Sequence, residues 1–425
     1  MTTESLHIAR LGPTGLDSDL PTEVLQIREQ AHRFASTVMR PLAASLDRMS
    51  AADVVRKGSP IYDFFAEVRK IGLVDMAALA QEAPQMQGMI LPVLLEELGW
   101  GDCGLGMLSM ARDFTSFAAL ATRSEEVIQR VADGFGCFLA TQPDRGSDAI
   151  DHFCMNSFPG ARLPVGNLTV KLDGSDYIVN GQSSAWVSGA PIATCGIVYA
   201  ACDSGGGFYN EKGHLNYVGL LVPFDEPGVS KGPPLEKLGQ RPLPQGAVFF
   251  DNVRVPKAFV VAQLDQAHRE LEVALTFAKT IVATAFVGVG RAAYDHALAY
   301  VHERRQGGVE LIKHQGVQAR LFGMWRNLEA SRALTRRAVS YHFGPHGPHG
   351  LGGITAKIHS TESALQIAIE AVRLFGAYGL TREYPIEKLL RDCMAALIED
   401  GENNILGLNA ANYLSQTFRN GGGTG

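Results

Sequence analysis

Four stretches of the 425-residue chain combine turn formers with polar side chains in a pattern that packing alone does not demand. TQPDRGSD, residues 141–148, carries hydroxyls at Thr141 and Ser147. SSAWVSGA, residues 183–190, sets Trp186 and Ser188 two positions apart and so on one side of an extended segment. HERRQGG, residues 302–308, closes a helical pattern with Arg304 and Arg305, and residues 375–404 end in IEDGENN, which gathers Glu399, Asp400 and Glu402. Other chemistries are weaker matches. His342, His346 and His349 in FGPHGPHG are metal-ligand types, but Pro and Gly place them on an inter-helix loop with no carboxylate or cysteine partner, so a solvated loop and no metal site are expected. Arg336 and Arg337 read as surface charge. Six cysteines without a CxxC pair signal neither a disulfide framework nor structural zinc. GVGRAA, with Gly288 and Gly290, lies in a helical pattern without a preceding strand, which excludes a Rossmann fingerprint.

The elements that must position these residues fall into three blocks. The length suggests two to four structural units, and 38 basic against 44 acidic residues give a net charge of −6, which argues against nucleic-acid binding. The N-terminus lacks a basic segment followed by an apolar one, and the most apolar stretch, residues 280–290, is too short to span a bilayer; a soluble cytoplasmic protein is expected, with no membrane contact. Residues 1–20 read as an arm. Val24, Ile27, Ala31, Phe34 and Val38 then mark a helical stripe that Pro41 is expected to end, and further helical pattern makes residues 21–136 an N-terminal helical domain. Alternation over Leu168, Val170 and Leu172, and over Tyr177 and Val179, with turn pairs Asp173-Gly174 and Asn180-Gly181, predicts hairpins in a middle antiparallel β domain, residues 137–257. Helical period returns on the stripes Val317, Leu321, Met324, Leu328 and Ile358, Leu365, Ala368, Val372. Residues 258–425 are therefore expected to form a C-terminal four-helix bundle, giving an α+β multi-domain fold.

Three motifs appear in order on these blocks: KLGQRPLPQGAVFFDNVRVP (237–256), ERRQGG with the downstream HQ (303–308 and 314–315), and AYGLTREYPIEKLLRD (377–392). Through them the chain resembles, over nearly its whole length, the acyl-CoA dehydrogenase family of flavoproteins. The resemblance implies FAD held between the β domain and the C-terminal helices, and a homo-oligomer, dimer or tetramer, in which one subunit completes the cofactor site of the next. Matching positions imply that Thr141 bonds the flavin pyrimidine edge, Trp186 packs on the ring system, and Ser188 stands near N5 where the family usually has threonine. They imply that Arg304 meets the pyrophosphate of a neighbouring subunit's FAD, a task suited to a guanidinium. Gln315, Gly376 and Gly379 join the cofactor set, as does Glu402; Arg373 stands where the family has glutamine and Ala377 where it has glycine, so local contacts differ.

For the reaction, the resemblance implies α,β-desaturation of an acyl-CoA or carrier-protein thioester. Asp400 is the α-proton base, at the position where most members have glutamate, and hydride passes to flavin N5. Ala278 empties the alternative base position, Ser147 matches a substrate-contacting serine, and Lys279 replaces a helix arginine that assists CoA binding. Electrons would pass to an electron-transfer flavoprotein or to oxygen. An insertion over residues 149–166 is expected to form a lid or wall beside the thioester arm. Two other readings fit the same residues: a flavin oxidase or monooxygenase of this fold, since nitroalkane oxidases also use an aspartate base, and a redox-inactive flavin-binding homologue.

Overall fold

The protein was analysed as a computed structural model that describes residues 20–72, 76–132, 134–147, 163–345 and 347–419. All but the last residue of the expected arm, most of the insertion expected at 149–166, and His346 lie outside these residues.

The N-terminal block is helical: α1 Thr22–Phe34, α2 Arg40–Leu46, α3 Ala51–Val55, α4 Pro60–Ile71, α5 Met76–Leu79, α6 Pro84–Gly101, α7 Cys103–Thr122 and α8 Glu125–Val131. The stripe on α1 buries Val24, Ala31 and Phe34. Pro41 does not end this helix, contrary to expectation. A π-helical turn over Ala35–Met39 joins α1 to α2, which places Pro41 in the first turn of α2, where its missing N–H breaks no ladder bond.

The middle block contains β1 Gly136–Leu139, β2 Thr169–Asp173, β3 Asp176–Gln182, β4 Val187–Ser188, β5 Cys195–Asp203, β6 Tyr217–Pro223, β7 Val229–Lys231, β8 Gln245–Gly246, β9 Val248–Pro256 and β10 Val260–Ala262. The main sheet runs β10-β6-β5-β2-β3-β9-β7, with β1 also on β5. It is mixed rather than antiparallel throughout, because β1 and β2 both run parallel to β5. Asp173 pairs with Asp176 across the expected β2–β3 hairpin. Asn180-Gly181 is not a second turn: it sits inside β3, where the register on β9 shifts and Gly181 takes φ +107°, a bulge rather than a hairpin. A separate β4–β8 pair sets Ser188 against Gln245.

The C-terminal block contains α9 Leu264–Glu303, α10 Gln315–Phe343, α11 Gly350–Phe375, α12 Ile386–Ala396 and α13 Asn403–Arg419. Over Gln266–Glu303, α9 is long and apolar enough to cross a membrane by length and composition, but 72% of its most apolar window is buried inside the protein. Its residues Phe286, Val289 and Ala293 pack with Leu321, Met324 and Leu328 of α10 and with Ile367, Ala368 and Ala371 of α11. His342 belongs to the last turn of α10 rather than to the following loop, and its ring stacks on Phe277 at 4.3 Å.

The N-terminal block is joined to the bundle at the crossing of α6 and α9. A Cβ on Gly288 would lie 2.1 Å from the Glu96 carbonyl oxygen, and one on Gly99 2.0 Å from that of Ala285, so the two backbones touch because glycine stands on both sides. Charges line this crossing. Arg291, fully buried, donates to Glu96 at 2.8 Å and to both oxygens of Glu97, while Arg332 reaches Glu96 from α10 at 2.7 and 2.9 Å. Burial alone would raise the Glu96 carboxyl; the Arg332 and Arg291 guanidiniums reverse that and hold it at about 2. Gly288→Ala should therefore force the helices apart and cost about 1–3 kcal/mol or more in urea unfolding. Gly323→Ala, on α10 where nothing lies within 4 Å of the added carbon, is the control and should be neutral or stabilise by up to about 1 kcal/mol.

Candidate active site

The carboxylate-bearing turn between α12 and α13 is held from all three blocks. On α12, Lys388 donates to Asp392 at 2.6 Å and to Asp102 at 2.5 Å. Asp102 in turn caps α7 by accepting from the Leu105 N–H at 2.8 Å. Asp392 also accepts the backbone N–H of Gln240 at 2.5 Å, from the loop before β8. Burial alone would lower the pKa of the Lys388 ammonium; Asp102 and Asp392 more than reverse this, so the lysine stays charged. The loop comes so close that a Cβ on Gly239 would lie 2.2 Å from the Arg391 carbonyl oxygen. Arg391 itself pairs with Asp47 at 2.7 and 3.0 Å. The RD pair that closes the third motif is thus a three-way clamp.

Beyond the clamp the chain turns sharply. Asp400 adopts φ +51° and Gly401 follows at +106°, a left-handed pair in which aspartate is one of the few side chains tolerated. The turn is secured on every side. Gln240 Nε2 donates to Glu399 at 2.9 Å, the Ser147 hydroxyl accepts the Glu402 N–H at 3.0 Å, and Lys357 of α11 donates to the Gly401 carbonyl at 2.7 Å.

Asp400 and Glu399 open onto a cleft of about 1540 Å³ between α7, α9 and the β domain. Thr141, Ser147, Trp186, Ser188 and Ala278 line the same cleft. The Thr141 hydroxyl shares a 2.7 Å hydrogen bond with Ser184, and Ser188 Oγ accepts from Gln245 Nε2 at 3.2 Å. Trp186 is 63% exposed, an open aromatic face that packing does not use. Met107, Met110, Phe114 and Phe117 of α7 supply an apolar wall. These features suit a planar aromatic ring system: a face to stack on, hydroxyls at its edge and an apolar surround.

Several expected site residues lie elsewhere. Lys279 is 6% exposed and does not line the cleft, so it is not placed to meet a CoA phosphate; its charge acts on Asp400 from behind. Glu402 turns its carboxylate onto its own helix, accepting the N–H groups of Asn404 at 2.9 Å and Ile405 at 3.1 Å, and so caps α13. Arg304, Gln315, Arg373, Gly376 and Gly379 are outside the cleft lining. Arg304 lies at the end of α9 with its guanidinium 5.8 Å from the Tyr378 ring centroid, and Arg373 pairs with Glu370 at 2.8 Å. Arg304, Gln315, Arg373 and Gly376 are solvent-exposed, while Gly379 is buried.

Three lysines set the electrostatics: Lys279, which the sequence reading assigned to the substrate, and Lys237 and Lys357, which it did not single out. Burial lowers Lys279, Lys357 and Lys237 to about 8 each, while nearby carboxylates pull them back. Asp400 faces the cleft interior, yet the protein mass around it still raises its pKa, against Lys279 and Lys357. Glu399 is raised to about 7, first by burial and then by Asp400. A carboxyl with a raised folded-state value stabilises the fold below its ordinary 4.5, and that contribution disappears as pH rises through about 7. Glu399→Gln stays neutral throughout, so its melting temperature relative to wild type should climb between pH 5 and roughly pH 8; a pH-independent difference in thermal melts would contradict the assignment.

The sequence comparisons agree with this architecture. The acyl-CoA dehydrogenase middle-domain model matches residues 137–253 and the C-terminal-domain model residues 270–414, together more than half of the chain. The short-chain specific acyl-CoA dehydrogenase of Sus scrofa is 26% identical, covering 94% of this chain and 92% of its own. Benzylmalonyl-CoA dehydrogenase of Aromatoleum aromaticum is 27% identical, covering 94% of this chain and all (100%) of its own. Among solved structures, butyryl-CoA dehydrogenase of Megasphaera elsdenii shares the fold at a TM-score of 0.78 with 21% identity, over 94% of this chain and 100% of its own. A Mycobacterium smegmatis glutaryl-CoA dehydrogenase solved with FADH2 also superposes at 0.78, with 22% identity, 95% of this chain and 98% of its own. With the helix–sheet–helix order and the cleft between them, these matches place the chain in the acyl-CoA dehydrogenase family of flavin-dependent oxidoreductases.

Proposed function

We propose that the chain is an FAD-dependent α,β-desaturase of an acyl-CoA thioester in which Asp400 removes the α-proton. The observation that carries this reading is the placement of the Asp400 carboxylate in one cleft with Thr141, Trp186 and Ser188. An α-hydrogen beside a thioester is only weakly acidic, so its base must be close, poorly hydrated and ionised. Asp400 is exposed to the open cleft, where the protein around it strengthens it as a base by raising its pKa and Lys279 and Lys357 favour its charged form; a bound thioester would exclude water from it. Ala278 offers no carboxylate at its place on α9, where the helix's carboxylate in the cleft lining is Glu270, nearer the start of the helix; the turn places Asp400 in the lining beside Glu399.

Thr141 and Ser188 would bond the edge of the flavin and Trp186 would stack on it. The chemistry that FAD supplies when bound is acceptance of the β-hydrogen as a hydride. Ser147 both secures the turn through Glu402 and presents its side chain to the cleft. Arg304, Gln315, Arg373, Gly376 and Gly379, outside the cleft of their own chain, suit a homo-oligomer in which they reach a neighbour's FAD. Arg304→Ala should then weaken FAD retention by about 1.5–3 kcal/mol, as a lost charged hydrogen bond does, in a cofactor-titration measurement; a monomer that holds FAD fully would contradict the pairing.

Several relatives are named for CoA thioesters, among them glutaryl-CoA and cyclohexane-1-carbonyl-CoA dehydrogenases, which supports a thioester panel as the test. Butyryl-, glutaryl-, benzylmalonyl- and cyclohexane-1-carbonyl-CoA should be mixed anaerobically with the enzyme and flavin bleaching followed. At least one should reduce it, and Asp400→Asn should slow that step about 10²–10⁴-fold while flavin stays bound. Admitting air then separates acceptors: a reduced flavin that persists supports an electron-transfer protein as partner, and rapid reoxidation with peroxide or oxygenated product supports the oxidase reading. Absence of bleaching with every thioester would overturn the desaturase assignment.

A further inference from the structure

Lys357 lies on α11, is fully buried and points its ammonium at the turn that carries Asp400. It donates to the Gly401 carbonyl at 2.7 Å and to Asn403 Oδ1 at 2.7 Å. Asn403 is itself anchored, since its Nδ2 donates to Thr361 Oγ1 at 3.2 Å and its backbone N–H to the Leu397 carbonyl at 3.0 Å. One lysine thus grips the residue after Asp400 and the first residue of α13.

Two neutral oxygens do not by themselves call for a charged donor. A glutamine amide would satisfy them, and burying an ammonium is costly unless an anion compensates it. The compensating groups are all on the turn: Glu399, Asp400 and Glu402 act on Lys357 with opposite charge, and the cation facing it from α9 is Lys279. Asp400 in turn feels Lys279 and Lys357 as its two cations, with Glu399 beside it.

We propose that Lys357 is a positioning residue for the reaction: it holds the left-handed turn that aims Asp400 into the cleft and keeps that carboxylate ionised. The proposal rests on the assignment of Asp400 as base. It separates two contributions that different substitutions remove. Lys357→Gln retains donors for the turn and loses the charge; Lys357→Met loses both.

The experiment uses the flavin-loaded enzyme and whichever thioester of the panel reduces the flavin fastest. Because the base acts deprotonated, removing a positive charge moves the acid limb of flavin reduction to higher pH. For Lys357→Gln we expect an upward move of about one pH unit, with roughly tenfold slower reduction on the acid side and recovery towards wild type at high pH. Lys357→Met should be slower at every pH, since small misplacements of a base cost about 10²-fold. A second readout needs no oxidation: with the flavin already reduced by dithionite, solvent deuterium entry at Cα of the same thioester should slow in parallel.

An unmoved acid limb and unchanged deuterium entry in both variants would overturn the proposal. So would loss of folded, flavin-bound protein in both, which would assign Lys357 to the fold alone. Failure of the underlying base assignment looks different, because Asp400→Asn would then reduce flavin at the wild-type rate. A slow Asp400→Asn beside unaffected Lys357 variants rejects this inference only.

Discussion

Everything around the cleft depends on one buried ammonium, that of Lys388. It meets Asp102, the residue that starts α7, and Asp392, which also holds the Gln240 backbone of the β-domain loop. The helical block, the sheet block and the bundle therefore converge on a cation that is 12% exposed at its side chain. Such an arrangement is costly to bury and costly to break. Two carboxylates without their lysine would be charges stranded away from water. Its directional bonds settle where α12 ends, and hence where the turn with Glu399 and Asp400 emerges.

The second constraint is steric. Gly99 and Gly288 allow α6 and α9 to meet backbone to backbone, which brings Glu96 and Glu97 within reach of Arg291 and Arg332. The ion cluster satisfies charges that the close crossing buries, and the crossing excludes the water that would otherwise screen them. Since α7 follows α6 directly and α9 forms the opposite wall, the width of the cleft follows from this contact. Neither glycine lines the cleft.

Within the cleft, function and stability pull apart. Burial raises the cost of ionising both Glu399 and Asp400, Asp400 raises that of Glu399 further, and the lysines at 237, 279 and 357 offset part of it. The turn accepts a left-handed aspartate and closely spaced like charges, features a merely structural loop would avoid. Hydrogen bonds from α11, the β-domain loop and Ser147 hold it in place.

The sequence by itself determined the order of helical, sheet and helical blocks, because period 3.6 and period 2 are local properties of side-chain placement. It also singled out the segments at 141–148, 183–190 and 399–402, whose residue types packing does not require and from each of which residues line the one cleft. Periodicity could not assign Asn180-Gly181 to a bulge, because that dipeptide serves turns and bulges alike and the pairing of β3 with β9 decides between them. Nor could it carry α1 past Pro41, which depends on a wider turn before it. Lys279 looked like a phosphate contact until the packing of α9 turned it inward, and Glu402 like a cofactor contact until the start of α13 took its carboxylate. Lys357 carries no local signal, and Lys388, though inside the third motif, none that names Asp102: a lysine in a helix is ordinarily a solvated charge, and only the tertiary structure, by removing water and bringing carboxylates from distant segments, gives it a task.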